Sequence, residues 1–118
     1  MKIHTKRAYD KPARNDGCRV LVDGMWPRGV KKEDAQVDLW LKEIAPSAEL
    51  RKWFGHDPEK WDEFKKKYFK ELDGDSDATD QLAEKARQGR VTLIYGAKDT
   101  EHNNAIALRQ YLEENKRI

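Results

Sequence analysis

Residues 90–95 read RVTLIY, and how this run is read decides the fold. From Arg90 to Tyr95 it is an almost unbroken series of apolar and β-branched residues, and it follows Gln88-Gly89, a helix stop. A strand with one wet face alternates polar and apolar residues, whereas a strand covered on both faces does not. The run therefore predicts a buried strand in a mainly parallel sheet.

Working outward, Cys18 to Asp23, CRVLVD, is a second run rich in β-branched residues, entered from the turn signal Asn15-Asp16-Gly17. Between the two, Val37 to Ile44 sets Val37, Leu39 and Leu41 against Asp38, Trp40 and Lys42, a third strand. The four-residue spacing of Trp40 and Ile44 leaves a helix open there. The segments KIH and TKRAY near the amino end offer an edge strand.

Helices fill the intervals. Asp57-Pro58 supplies a cap and a first-turn proline, after which Trp61, Phe64, Tyr68 and Leu72 recur on one helical face until Asp73-Gly74. A second helix from about Asp77 to Gln88 turns Leu82, Ala83 and Ala86 inward, with Gly89 at the position just past its end. A third, from about Thr100 or Glu101 to Glu114, aligns Ala105, Leu108 and Leu112. Short helices are expected at Lys31–Gln36 and Ser47–Phe54, and the small, acidic stretch Gly74–Ala78 is expected to be a flexible loop. Strands alternating with helices predict an α/β fold: a small, mainly parallel sheet of three to four strands flanked by helices, in two or three layers.

The chain has 118 residues, which bounds it to one domain over residues 1–118. Charged residues make up 39% and hydrophobic ones 37%, a lean composition, but eleven tryptophans, tyrosines and phenylalanines provide large units for a core. With 24 basic and 22 acidic residues the net charge is +2, so any basic site must be local. Cys18 is the single cysteine, which excludes an internal disulfide framework. No apolar run is long enough for a signal segment or a membrane span, and a cytoplasmic location without membrane contact is expected.

In a parallel α/β sheet, ligands bind beyond the carboxyl ends of the strands. The first strand ends in Asp23 and runs into Trp26-Pro27-Arg28-Gly29. The last ends in Tyr95 and runs through Lys98-Asp99 to His102-Asn103-Asn104. If those strands are neighbours, the two loops face each other. Arg28, between Pro27 and Gly29, would present a planar fork to a phosphate or carboxylate, or would pair with Asp23 or Asp99 and pin the loop. Glycine after it would let the backbone approach a ligand. Trp26 is a stacking platform or a plug over the sheet end. Asn103 and Asn104 at a helix start would add backbone donors for an anion, or Asp99 or Thr100 caps the helix and the asparagines simply satisfy its orphan donors. His102 and Asp23 are the candidate acid and base, since a histidine titrates near neutral pH. Tyr95, Lys98, Asp99 and His56 complete the set of expected ligand contacts, His56 with a local hydrogen bond as the alternative.

Other patterns exclude chemistry. His56, His102 and one of Asp23, Asp57 or Asp99 would make two histidines and a carboxylate, but no metal-type spacing supports it, and neither metal nor cofactor is expected. There is no glycine-rich phosphate loop and no dinucleotide fingerprint. Lys65-Lys66-Lys67 and Lys70 share a helix with Glu63 and Glu71, the pattern of a solvated face. Cys18 opens a strand at the end away from the cleft and is expected to be a packing residue.

These residues also carry a family resemblance. RVLVDGMWPRGVKKEDAQVDLWLKEIAPSAELRKWFGHDPEKWDEF and TLIYGAKDTEHNNAIALRQYL, with Trp-Pro-Arg-Gly, Ala-Pro-Ser and His-Asn-Asn in combination, resemble the family called domain of unknown function 488, in its small YeaO-like branch. The resemblance spans nearly the whole chain and implies an α/β sandwich. Two positions depart from the family's pattern: Gly24 and Lys98 stand where it usually has arginine. Broader relatives place a cysteine near the position of Tyr95 and a Cys-His-Arg run near His102. This chain has neither, so a thiol mechanism does not carry over.

The residues thus predict a cleft for an anionic small molecule, serving either an enzyme with acid–base chemistry or a regulatory ligand binder. The alternative is a nucleic-acid or protein interaction module built on Trp26, Trp53, Arg28 and Arg51.

Overall fold

The structure is a computed structural model, and it describes residues 3–116. Four strands, β1 (Ile3–Arg7), β2 (Cys18–Leu21), β3 (Leu39–Trp40) and β4 (Val91–Tyr95), form one sheet in the order β1-β4-β2-β3 with every pairing parallel. Five α-helices accompany them: α1 (Lys32–Ala35), α2 (Ala48–Phe54), α3 (Trp61–Asp73), α4 (Ser76–Gln88) and α5 (Asn104–Asn115). The fold is the expected small parallel α/β sheet, and RVTLIY supplies one of its two central strands, buried at all five positions of β4. The edge strand is β1; Lys2, part of the run that suggested it, lies outside the described residues.

Strand parity sorts the core. Ile3, Val20, Val91, Leu93 and Tyr95 join the apolar sides of α2, α3, α4 and α5 in one large cluster. Leu21, Ile94 and Ala8 point the other way, into a small cluster closed by Trp26, Val37 and Trp40. On that second face α1 provides the cover, because the Arg19 guanidinium donates twice to the Ala35 carbonyl, at 3.0 and 2.8 Å. Two substantial layers therefore carry a thin third.

Within the large cluster, Phe64, Tyr68 and Leu72 of α3 are buried as their spacing predicts. The Tyr68 hydroxyl, fully buried, donates to the Ile44 carbonyl at 2.6 Å. Tyr68→Phe leaves that carbonyl unsatisfied and should lower stability by about 1–2 kcal/mol, read as a shift of the urea midpoint at unchanged slope. An unshifted midpoint would mean that the bond contributes nothing net.

Four expectations change. The third strand is short: after Leu39–Trp40 the Leu41 N–H still bonds Leu21, but Lys42–Ile44 curls into a 3-10 turn that drops Ile44 into the core. The stretch 74–78 is no flexible loop, since Gly74 and Asp75 make a tight turn, α4 begins at Ser76, and Ala78 is buried. Gly89 ends α4 in extended backbone, not in a left-handed cap. The last helix starts at Asn104, because the Asn103 side chain caps it by accepting from the Ile106 N–H at 3.0 Å.

Candidate functional site

The chain leaves β2 towards α1 on one face of the sheet and leaves β4 towards α5 on the other. Neighbouring parallel strands whose connections part in this way open a crevice at their carboxyl ends. Here the crevice is a cleft of about 540 Å³. Its floor is Asp23, its walls are the loop 24–28 and the segment from Ala45 to Phe64, and its rear is Gly96, Ala97 and the residues around His102.

Asp23 ties the two strand ends together. One carboxylate oxygen accepts from the Gly96 N–H at 2.8 Å and the other from the Asn104 amide at 3.0 Å. The same Asn104 amide reaches the Val22 carbonyl at 3.1 Å. Burial raises the Asp23 pKa, against the lowering effects of these two donors and of the Arg51 charge. A half-buried carboxylate of this kind can accept from a ligand or exchange a proton with it.

Arg28 is not pinned. Its guanidinium has no hydrogen bond or ion pair among the described residues, and the side chain is exposed at the rim of the cleft. The loop that carries it is fixed by other means: the Trp26 indole donates to the Val30 carbonyl at 2.7 Å, and the Tyr9 hydroxyl donates to the Arg28 carbonyl at 2.9 Å. Gly29 has φ of 79°, and a Cβ there would meet nothing within 4 Å, so the turn's geometry calls for glycine. Trp26 is half-buried, edge-on to Trp40 at 5.5 Å, and works as a plug while also lining the cleft.

His102 stands before the α5 cap. Asp99 accepts from its backbone N–H at 3.0 Å and lies 3.0 Å from its Nδ1, which directs Nδ1–H to the carboxylate and leaves Nε2 as the other functional nitrogen. Donors at Glu101 and His102 hold the Asp99 carboxyl below its ordinary range. Asp99 thus orients His102 without itself lining the cleft. His56 does line it, from a left-handed backbone with φ of 57°, and makes no local hydrogen bond among the described residues.

Of the sequence-predicted contacts, the cleft gathers Asp23, Trp26, Arg28, His56, His102, Asn103 and Asn104. Asn103 is buried and occupied as the helix cap. Tyr95 and Lys98 do not line the cleft: Tyr95 belongs to the large core cluster, and Lys98 is exposed on the loop before α5. Arg51, Phe54, Pro46 and Phe64 line it although they were not predicted as ligand contacts. Arg51 and Phe54 lie three apart on α2, whose Ser47 cap follows Pro46, so the helix start in the sequence was the available signal.

Among the described residues no group of three or more His, Cys, Asp or Glu could hold a metal ion, and no helix is long and apolar enough to cross a membrane. Cys18 is half-buried far from the cleft, and burial raises its pKa, as does the nearby Asp38.

A family model described as the inactive DUF488-N3 subclade matches residues 2–117. The chain is 43% identical to "Uncharacterized protein YeaO" of Escherichia coli K12 over 112 residues, which is 95% of this chain and 97% of the relative. It is 39% identical to "Uncharacterized protein Rv3073c" of Mycobacterium tuberculosis H37Rv and to "Uncharacterized protein Mb3100c" of Mycobacterium bovis, in each case over 94% of this chain and 93% of the relative. No solved structure matches the chain.

Proposed function

We propose, from the premise that this chain belongs to the DUF488-N3i family, that it is a cytoplasmic protein whose cleft holds a small organic anion without turning it over. One observation carries the reading: two guanidinium groups, Arg28 and Arg51, line one cleft from different elements, and neither has an ion-pair partner among the described residues. The Arg51 charge already acts on Asp23, whereas Arg28 at the rim has no anionic partner among the described residues, so a ligand anion is its natural counter-charge. Binding is favoured over catalysis by the family's description as inactive. Asp23 and His102 then act as ligand contacts, the carboxylate accepting and the oriented imidazole offering its Nε2.

Amide chemical-shift titration of the labelled chain with inorganic phosphate tests this. Saturable shifts should concentrate at 24–29 and 96–104, and Arg28→Ala should weaken the affinity at least tenfold while the spectrum elsewhere is unchanged, because that guanidinium holds nothing in the fold. Equal affinity in the variant, or shifts scattered over the surface, would sink the assignment.

A further inference from the structure

The cleft holds about 540 Å³, far more than a bare inorganic anion fills. Most of its polar lining is already engaged within the protein. The Asp23 oxygens accept from the Gly96 N–H and the Asn104 amide, the Arg51 charge acts on Asp23, and Asn103 caps α5. His102 keeps only its Nε2 open, since Nδ1 faces Asp99 at 3.0 Å. Arg28, exposed at the mouth, has neither a hydrogen bond from its guanidinium nor an ion pair among the described residues.

The apolar lining is the reverse case, because much of it stays in water. Tyr9, Met25, Trp26, Ala45 and Ala97 all line the cleft and none of them is buried. Met25 is 70% exposed and Tyr9 48% exposed, two of the three large hydrophobic side chains that the described residues leave in solvent. Apolar residues scattered singly over a surface need no explanation, but a group of them at one mouth marks a binding surface. Tyr9 is also fixed in place: its hydroxyl donates to the Arg28 carbonyl at 2.9 Å, and the Arg7 guanidinium lies 4.8 Å from its ring centre. A held apolar surface therefore stands directly beside the unpaired guanidinium.

Resting on the anion reading above, we infer that the ligand carries one anionic head on a short apolar body, a short alkanoate being the simplest case. One unpaired guanidinium matches one head, and its planar fork suits a carboxylate. The body lies against Met25, Tyr9 and Trp26, where each methylene leaves water. Met25, unbranched and polarizable, adapts to the shape of the chain laid on it. A sugar phosphate is the wrong ligand for this surface, because its hydroxyl groups would give up water for apolar contacts that offer them no partner.

The test is amide chemical-shift titration of the full labelled chain with acetate, butanoate, hexanoate and octanoate, with hexylamine as the same body on a cationic head, and with inorganic phosphate and glucose 6-phosphate. Affinity should rise about two- to fourfold for each added methylene, as for a methylene moved partly or wholly out of water. The shifts should fall at Tyr9 and at 24–29, hexylamine should leave them in place, and glucose 6-phosphate should bind no more tightly than phosphate. Met25→Ser, on an exposed side chain, should flatten the alkanoate series while the spectrum away from the cleft stays as in the parent chain. Acetate and octanoate bound equally at the cleft would overturn the apolar body and leave the anion reading standing, as would glucose 6-phosphate binding more tightly than phosphate. Hexylamine bound as well as hexanoate, or no saturable shift with any of the anions, would overturn both.

Discussion

Asp16→Ala should remove about 3–5 kcal/mol of stability, a large part of what holds a domain of this size together. Asp16 is 6% exposed and stands at the centre of a charged cluster on the thin side of the sheet. Its carboxylate accepts from the Arg19 guanidinium at 2.6 Å, from the Lys6 ammonium at 2.9 and 3.1 Å, and from the Ala13 N–H at 2.9 Å. Arg19 is itself only 3% exposed, so deleting the acid strands a buried cation. Burial alone would raise the Asp16 pKa, but the Ala13 N–H, Lys6 and Arg19 outweigh it and hold the carboxyl below its ordinary value of 3.8. A lowered folded-state pKa means that this stabilisation is complete at neutral pH. It disappears as the pH falls below about 3.9 and through the folded value. Guanidinium unfolding at pH 7 and pH 3 checks both parts: the variant should lose midpoint at pH 7 and show a smaller further loss at pH 3 than the parent chain. A loss below 1 kcal/mol at pH 7, on the order of an exposed pair, would refute the hub role.

The neighbouring residue gives the other large effect: Gly17→Ala should yield little folded protein. Gly17 has φ of 68° and ψ of −137°, a region that essentially only glycine occupies. A Cβ there would come within 2.3 Å of the Arg90 carbonyl oxygen and 2.9 Å of its carbon. Both are backbone atoms, and that oxygen accepts from the Cys18 N–H at 3.0 Å at the start of the β2–β4 pairing. The neighbour cannot yield without parting the two central strands. Backbone strain and overlap each cost about 1–3 kcal/mol. Soluble yield and thermal unfolding provide the measurement, and a variant that melts with the parent would show that the chain absorbs the methyl group elsewhere.

Asn15-Asp16-Gly17 shows where the sequence stops being legible. The triplet announces a turn, and a turn is there, but the hub at Asp16 depends on Lys6 and Arg19 arriving from two strands whose placement in the sheet no local pattern reveals. RVTLIY was readable because burial on both faces leaves its mark within one strand. That Asp23, Trp26 and Arg28 line a cleft was readable because crevices open at the carboxyl ends of parallel strands. Arg51, Phe54 and Phe64 reach the cleft only when α2 and α3 fold over it, and their spacing speaks of helices alone. Tyr95 is kept out of the cleft by strand parity: it shares a face with Val91 and Leu93 and joins the helical core, reaching the cleft lining only through a hydrogen bond with Asn103.

The strand order has a consequence for how the chain reaches its final form. Among the described residues β1 pairs with β4 alone, with Ile3 set against Val91 and Arg7 against Tyr95. During synthesis the first strand must therefore stay unpaired until the fourth has left the ribosome, while β2 and β3 can already meet across α1. Closing the sheet is a late, long-range step, and until it happens the exposed edge of a nascent β1 is a surface for chaperones or for wrong partners.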